Sequence, residues 1–198
     1  MSEWKMVGKP ALIFIHMQHA ITHPEGKLAV FGHAKATRES GIISRQQALL
    51  RAFREKKLPV VFVNAVTPET KWPAYGRFWE SVRSIGANLP GSKDVEVIPE
   101  LTPAPGEPVL FNWPFGIFSM NGLREILDGF KVETLVLPGV ATDMAVLAAV
   151  YQASDMLYNV IVPSDCCTSA NPKFHEAAIE MIDAIALLTT TEDIVAHL

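Results

Sequence analysis

The chain has 198 residues, 49% of them hydrophobic, with 17 basic and 21 acidic side chains giving a net charge of −4. That is enough apolar material for one sizeable core without a staple, so residues 1–198 are read as a single domain; scattered Lys and Arg argue against a nucleic-acid partner. Met1-Ser2-Glu3-Trp4-Lys5 lacks the apolar stretch of a signal peptide and no apolar run is long enough to cross a bilayer, which points to a cytoplasmic protein with no membrane partner.

Ala11-Leu12-Ile13-Phe14-Ile15, opened by Pro10, is a continuous apolar run of the kind that forms a strand buried on both faces. From Glu39 to Lys56, Ile42, Ile43, Leu49, Leu50 and Phe53 recur at helical spacing, with Arg45, Arg51 and Arg54 elsewhere on the surface. Leu58-Pro59-Val60-Val61-Phe62-Val63 is a second buried strand, so the three segments make a βαβ crossover. From about Val66 to Pro108 the rhythm breaks: prolines 68, 73, 90, 99, 103, 105 and 108 crowd in with Trp72, Tyr75, Phe78 and Trp79. So long an excursion in a compact domain is expected to act as a lid or a partner surface.

The alternation then resumes. Thr134-Leu135-Val136-Leu137-Pro138 reads as a strand, Asp143 to Met156 as a helix, Asn159-Val160-Ile161-Val162-Pro163 as a strand, Pro172 to Ile185 as a helix and Ala186 to Thr190 as a strand. Asp143 is expected to cap its helix, and Thr191-Glu192-Asp193 to open a short last one. Cys166 and Cys167 are adjacent, so they point apart and do not bridge, which fits a reducing compartment. The pattern predicts an α/β fold of three αβα layers around an open parallel six-stranded sheet with Rossmann-like topology. In such sheets ligands sit outside the carboxyl ends of the strands, here the residues following Ile15, Val63, Phe111, Pro138 and Pro163.

Three segments at those ends carry a resemblance. Ala11-Leu12-Ile13-Phe14-Ile15-His16-Met17-Gln18 is followed, much later, by Gly106-Glu107-Pro108-Val109-Leu110-Phe111-Asn112 and then by Leu137-Pro138-Gly139-Val140-Ala141-Thr142-Asp143-Met144-Ala145-Val146. Together they resemble the isochorismatase-like hydrolases, also called cysteine hydrolases, a family that includes nicotinamidases, N-carbamoylsarcosine amidases and isochorismatases. The resemblance implies that His16 stands where the family has its acid/base aspartate, Asn112 where it has a lysine, and Ala145 where it has the nucleophilic cysteine. It also implies a cis peptide at Val140-Ala141 in the loop that builds the oxyanion hole, and an even-numbered homo-oligomer, a dimer or tetramer.

A methyl group cannot attack carbon, so Ala145 excludes covalent catalysis at that position. His16 can still move protons, and Asn112 can orient a carbonyl or hydroxyl, giving a first hypothesis of non-covalent acid/base chemistry centred on His16. Against it stands the plainer reading of His16 as a hydrogen-bonded histidine ending a buried strand, and of Asn112 as a loop amide bonding local backbone. The ligand is expected to be a small planar or cyclic molecule walled by Trp113, Phe115, Phe118, Val140, Ala141 and Ala145, although such aromatics also serve subunit packing. A second hypothesis is a catalytically inactive homologue that binds a ligand or a partner protein. A third is a hydrolase of an amide or ester with a nucleophile from elsewhere; Cys166, Cys167 and a Ser119, His16 and Asp143 or Asp165 arrangement are the candidates weighed. His19, His23 and His33 suggest a metal, but Asn64-Ala65-Val66-Thr67-Pro68 after the second strand offers no ligands, so no catalytic metal and no cofactor is expected.

Overall fold

The computed structural model describes residues 4–68, 76–113, 115–119 and 121–198. Trp72, Pro73 and Tyr75 of the proline- and aromatic-rich stretch, and Pro114, lie outside them. In chain order the strands are β1 (Lys9–Ile15), β2 (Val60–Ala65), β3 (Val109–Asn112), β4 (Val132–Val136), β5 (Gly139–Val140), β6 (Asn159–Pro163), β7 (Cys167–Thr168) and β8 (Leu187–Thr189). The helices are α1 (His19–Thr22), α2 (His33–Glu39), α3 (Ile42–Glu55), α4 (Arg77–Ile85), α5 (Leu123–Phe130), α6 (Leu147–Asp155), α7 (Pro172–Asp183) and α8 (Thr191–Ala196).

The expected open parallel sheet is found, in the order β3-β2-β1-β4-β6-β8. Two short strands extend it at the carboxyl end, where β5 pairs with the tip of β1 and β7 pairs with β5. β1 is central, which is why its residues Ala11 to Ile15 are apolar without alternation: all five are 0% exposed. Ala11, Ile13 and Ile15 face a core shared with Leu127 of α5, Val150 of α6 and Ile182 of α7. Leu12 and Phe14 face the opposite core, with Leu49 and Phe53 of α3 and Ile194 of α8. Each large side chain so buried stabilises the fold by roughly 1.5–3 kcal/mol.

Some boundaries differ from the sequence reading. β2 begins at Val60 rather than Leu58, because Pro59 has no N–H to give the ladder, and it runs on to Ala65, where Asn64 and Ala65 pair with Phe111 and Asn112. Asp143 does not cap its helix. The chain enters through a π-turn in which Val146 N–H reaches the Ala141 carbonyl five residues back at 3.2 Å, so Asp143 lies inside the turn and its carboxylate accepts from the Ser169 hydroxyl. At α8 the expected start holds, with Thr190 Oγ1 accepting from Asp193 N–H.

The long excursion contains α4 and two 3-10 turns, Lys93–Val95 and Pro99–Leu101. Polar side chains staple it to the sheet. The buried Gln18 amide donates to the carbonyls of Ala65 at 3.0 Å and Asp94 at 3.1 Å and to Asn88 Oδ1 at 3.0 Å, while its own oxygen accepts from Ala65 N–H at 2.5 Å. Asn64 donates to the Val95 carbonyl at 3.0 Å. Among the described residues no helix is long and apolar enough to cross a membrane.

Candidate functional site

Strand register brings the site together. Ile15 lies opposite Val63, and Ala65, two residues on, lies opposite Asn112. His16 keeps one more ladder bond, its N–H to the Val63 carbonyl at 2.8 Å, and then turns with φ of 52° into the left-handed region, which carries the imidazole off the strand end toward β3. There His16 Nε2 lies 2.9 Å from Asn112 Oδ1, with both side chains buried.

The direction of that bond follows from its neighbour. Asn112 Nδ2 donates to the Gly116 carbonyl at 3.0 Å, and a carbonyl can only accept, so the amide orientation is fixed and Oδ1 must accept from His16 Nε2–H. Burial lowers the His16 pKa to about 4, with the Asn112 bond opposing part of the fall. At neutral pH the ring is therefore uncharged, and Nδ1 holds its lone pair.

The third segment approaches from β5. A Cβ on Gly139 would stand 2.3 Å from the Ile15 carbonyl oxygen, so only glycine lets β5 close on β1. The following Val140-Ala141 peptide is cis, as the resemblance implies. His16, Val140, Ala141 and Ala145 then share one pocket of about 180 Å³, with Phe115 also in its wall. Ile21, Leu28, Phe31, His33, Phe78 and Met144 complete the lining, and sequence reasoning named none of these as pocket residues. Met144 lies in the third motif, Phe78 is an aromatic of the excursion and His33 was weighed as a metal ligand; Ile21, Leu28 and Phe31 are apolar residues in segments with no motif.

Not every expected residue reaches the pocket. Asn112 stands behind His16 with both ends of its amide occupied, so it positions the imidazole and does not present a group to a ligand. Trp113 packs on Trp79, ring centres 4.7 Å apart, and Phe118 stacks on Tyr158 at 6.0 Å beside the α6 core; neither lines the cavity. The Ser119, His16 and aspartate arrangement does not form, because Asp143 is engaged by Ser169, Asp165 accepts from the backbone and hydroxyl of Thr191, and the His16 ring meets Asn112.

Both thiols are free and buried. Cys166 packs in one core and Cys167 in the other, as adjacent residues pointing apart must. Burial pushes the Cys166 thiol far up and that of Cys167 up to about 12, so neither supplies a thiolate. His33 faces the pocket, its pKa lowered by burial against the opposing charge of Asp143, and its Nδ1 is buried without a hydrogen-bond partner.

The same architecture is shared with known proteins. Residues 10–193 match the model of the isochorismatase domain. An uncharacterized isochorismatase family protein of Bacillus subtilis (strain 168), YaaI, is 21% identical over 166 residues, 83% of this chain and 87% of its own. The crystal structure of a cysteine hydrolase from Pseudomonas syringae pv. phaseolicola 1448A superposes with a TM-score of 0.83 at 20% identity, covering 100% of this chain and 98% of its own. That of N-carbamoylsarcosine amidase from Thermoplasma acidophilum does so with a TM-score of 0.74 at 25% identity, covering 93% and 98%. With one parallel sheet, a pocket at the carboxyl end of its central strand and a family match over nearly the whole length, this chain belongs to the isochorismatase family.

Proposed function

We propose that this family member binds a neutral, largely apolar planar or cyclic small molecule and does not carry out covalent hydrolysis at position 145. The resemblance that equates His16, Asn112 and Ala145 with an aspartate, a lysine and a cysteine supports the second half: a methyl has no nucleophilic electron pair. With its pKa at about 4 the His16 ring is not an imidazolium at neutral pH, and its one N–H is held by Asn112, which removes the acid half of an acid/base cycle.

The pocket wall carries the first half. Among its described lining residues only His16 and His33 are polar and titratable, and burial disfavours the charged form of each. A charged ligand would lose its hydration there without gaining a counter-charge, at a cost of several kcal/mol. A neutral ring meets no such penalty, and about 180 Å³ is comparable with the roughly 150 Å³ apolar cavity known to admit benzene. His16 Nδ1, an acceptor, favours a ligand with one O–H or N–H.

A second reading has one observation behind it. The same lone pair makes His16 a proton acceptor of about the strength of an ordinary carboxylate, so proton abstraction from a bound substrate would appear as turnover that His16→Ala abolishes.

Calorimetric titration with phenol, anisole and benzoate tests the binding reading. Phenol should bind several-fold to about tenfold more tightly than anisole, the difference expected for one hydrogen bond, and that advantage should vanish in His16→Leu. Benzoate should bind least; benzoate binding as well as phenol would overturn the proposal.

A further inference from the structure

Outside the pocket wall, a second group of side chains carries the marks of a ligand site. His19 opens α1 and His23 follows it four residues later, so the two imidazoles stand on one side of the turn, stacked with ring centres 4.4 Å apart and 15° between planes. The chain then doubles back: a Cβ on Gly26 would lie 2.1 Å from the His19 carbonyl oxygen, and this close return sets Glu25 beside the pair. One ligand atom from each of His19, His23 and Glu25 lies within 4.8 Å of the other two.

The independent observation is the state of His19. It is 7% exposed, yet neither ring nitrogen has a hydrogen-bond partner. Buried polar atoms are nearly always satisfied, and an imidazole with both nitrogens idle is an arrangement that asks for a partner. His23 Nδ1 accepts from Glu25 N–H at 3.2 Å, so its lone pair is turned to the side where Glu25 stands. We propose that His19, His23 and Glu25 bind one divalent transition-metal ion of the zinc class.

The donor set suits such an ion: two imidazoles and a carboxylate leave a fourth position for water. Bonds of 2.0–2.1 Å to a tetrahedral ion bring ligand atoms to about 3.3 Å from one another, so the group would close by up to about 1.5 Å and the stacked rings would turn out of parallel to let their in-plane lone pairs converge. The 3.2 Å bond to His23 Nδ1 would give way to the ion. The surrounding charge is mixed, since Lys93 opposes positive charge at His19 while Asp94 and Glu25 favour it. An ion here would fix the segment that delivers Ile21 and Leu28 to the pocket wall, and would tie its shape to metal supply. The proposal stands apart from the reading of the pocket, because it needs no ligand there.

Untagged protein stripped with a chelator and titrated with zinc chloride should take up one equivalent, with a rise in melting temperature. Cobalt(II) should give the intense visible absorption of a four-coordinate site. His23→Ala, at a half-buried position, and Glu25→Gln should weaken zinc binding about tenfold or more while far-ultraviolet circular dichroism stays unchanged. His197→Ala, which alters a histidine stacked on Trp4, should leave binding intact. Absence of a one-equivalent site in the parent, or equal binding by parent and folded His23→Ala, would overturn the proposal.

Discussion

His16 Nε2 donates to Asn112 Oδ1 at 2.9 Å across 96 residues of sequence, and Asn112 in turn donates to the Gly116 carbonyl. This short chain fixes which imidazole nitrogen carries the proton and leaves the other as an acceptor. It also makes the electrostatics of the pocket depend on an amide that never touches the cavity.

Burial of His16 makes stability depend on pH. Its pKa is about 4 in the folded protein against 6.5 ordinarily, so between those values the unfolded chain binds a proton that the folded one refuses. The contribution is complete above pH 6.5 and is lost as pH falls through 4, by about 3 kcal/mol in all. Urea midpoints measured from pH 7 to 4 should fall less steeply in His16→Leu than in the parent. Equal slopes would place the titrating group elsewhere, among His19, His33 and His175, whose pKa values burial also lowers.

Asn112→Ala should destabilise the fold by about 1–3 kcal/mol, since it strips a buried imidazole N–H and the Gly116 carbonyl of their partners at once. Equilibrium denaturation measures this. A loss below about 0.5 kcal/mol would mean that the His16 ring finds another acceptor.

The two cysteines should be silent in the folded state. A chromogenic disulfide reagent should titrate no thiol over minutes at pH 8 and two after addition of denaturant, because both sulfurs are buried and their pKa values are raised. One rapidly reacting thiol in native protein would reopen the case for a nucleophile near β7.

If positions 16, 112 and 145 correspond to the family's reactive residues, His16→Asp, Asn112→Lys and Ala145→Cys together should create a nucleophile in a loop already shaped for it. Hydrolysis of p-nitrophenyl acetate should then exceed that of the parent by about a hundredfold or more, with one thiol alkylated by iodoacetamide in step with inactivation. A folded triple variant with no gain would show that the pocket wall itself has departed from hydrolysis.

Much of this was legible in the sequence because β1 is buried on both faces and so must be written in an unbroken apolar run. The Gly139-Val140-Ala141 turn was legible through the family resemblance, and the structure supplies the reason for its glycine, a close backbone approach to Ile15. By contrast, α5 has Leu123, Leu127 and Phe130 at helical spacing but only eight residues, too few to stand out from the loop before it. The pocket wall was half legible. Val140, Ala141, Met144 and Ala145 lie in a motif and Phe115 closely follows one, whereas Ile21 on the single turn of α1 and Leu28 and Phe31 beyond it reach the cavity by a path that no periodicity encodes. Trp113 and Phe118 misled because an aromatic beside a strand end serves equally well as packing, and here they meet Trp79 and Tyr158.

Gln18 sits two positions beyond His16 and grips Ala65, Asn88 and Asp94 at once. The carboxyl ends of β1 and β2 and the turn near Asn88 and Asp94 are consequently one mechanical piece. Swinging that turn aside would mean tearing a dry amide from Asn88 and Asp94 together while it stayed bound to Ala65. Elsewhere, in the pocket wall itself, Phe78 of α4 meets Phe115 by ring contact, centres 5.2 Å apart, a contact that can slide without leaving a buried polar group unpaired.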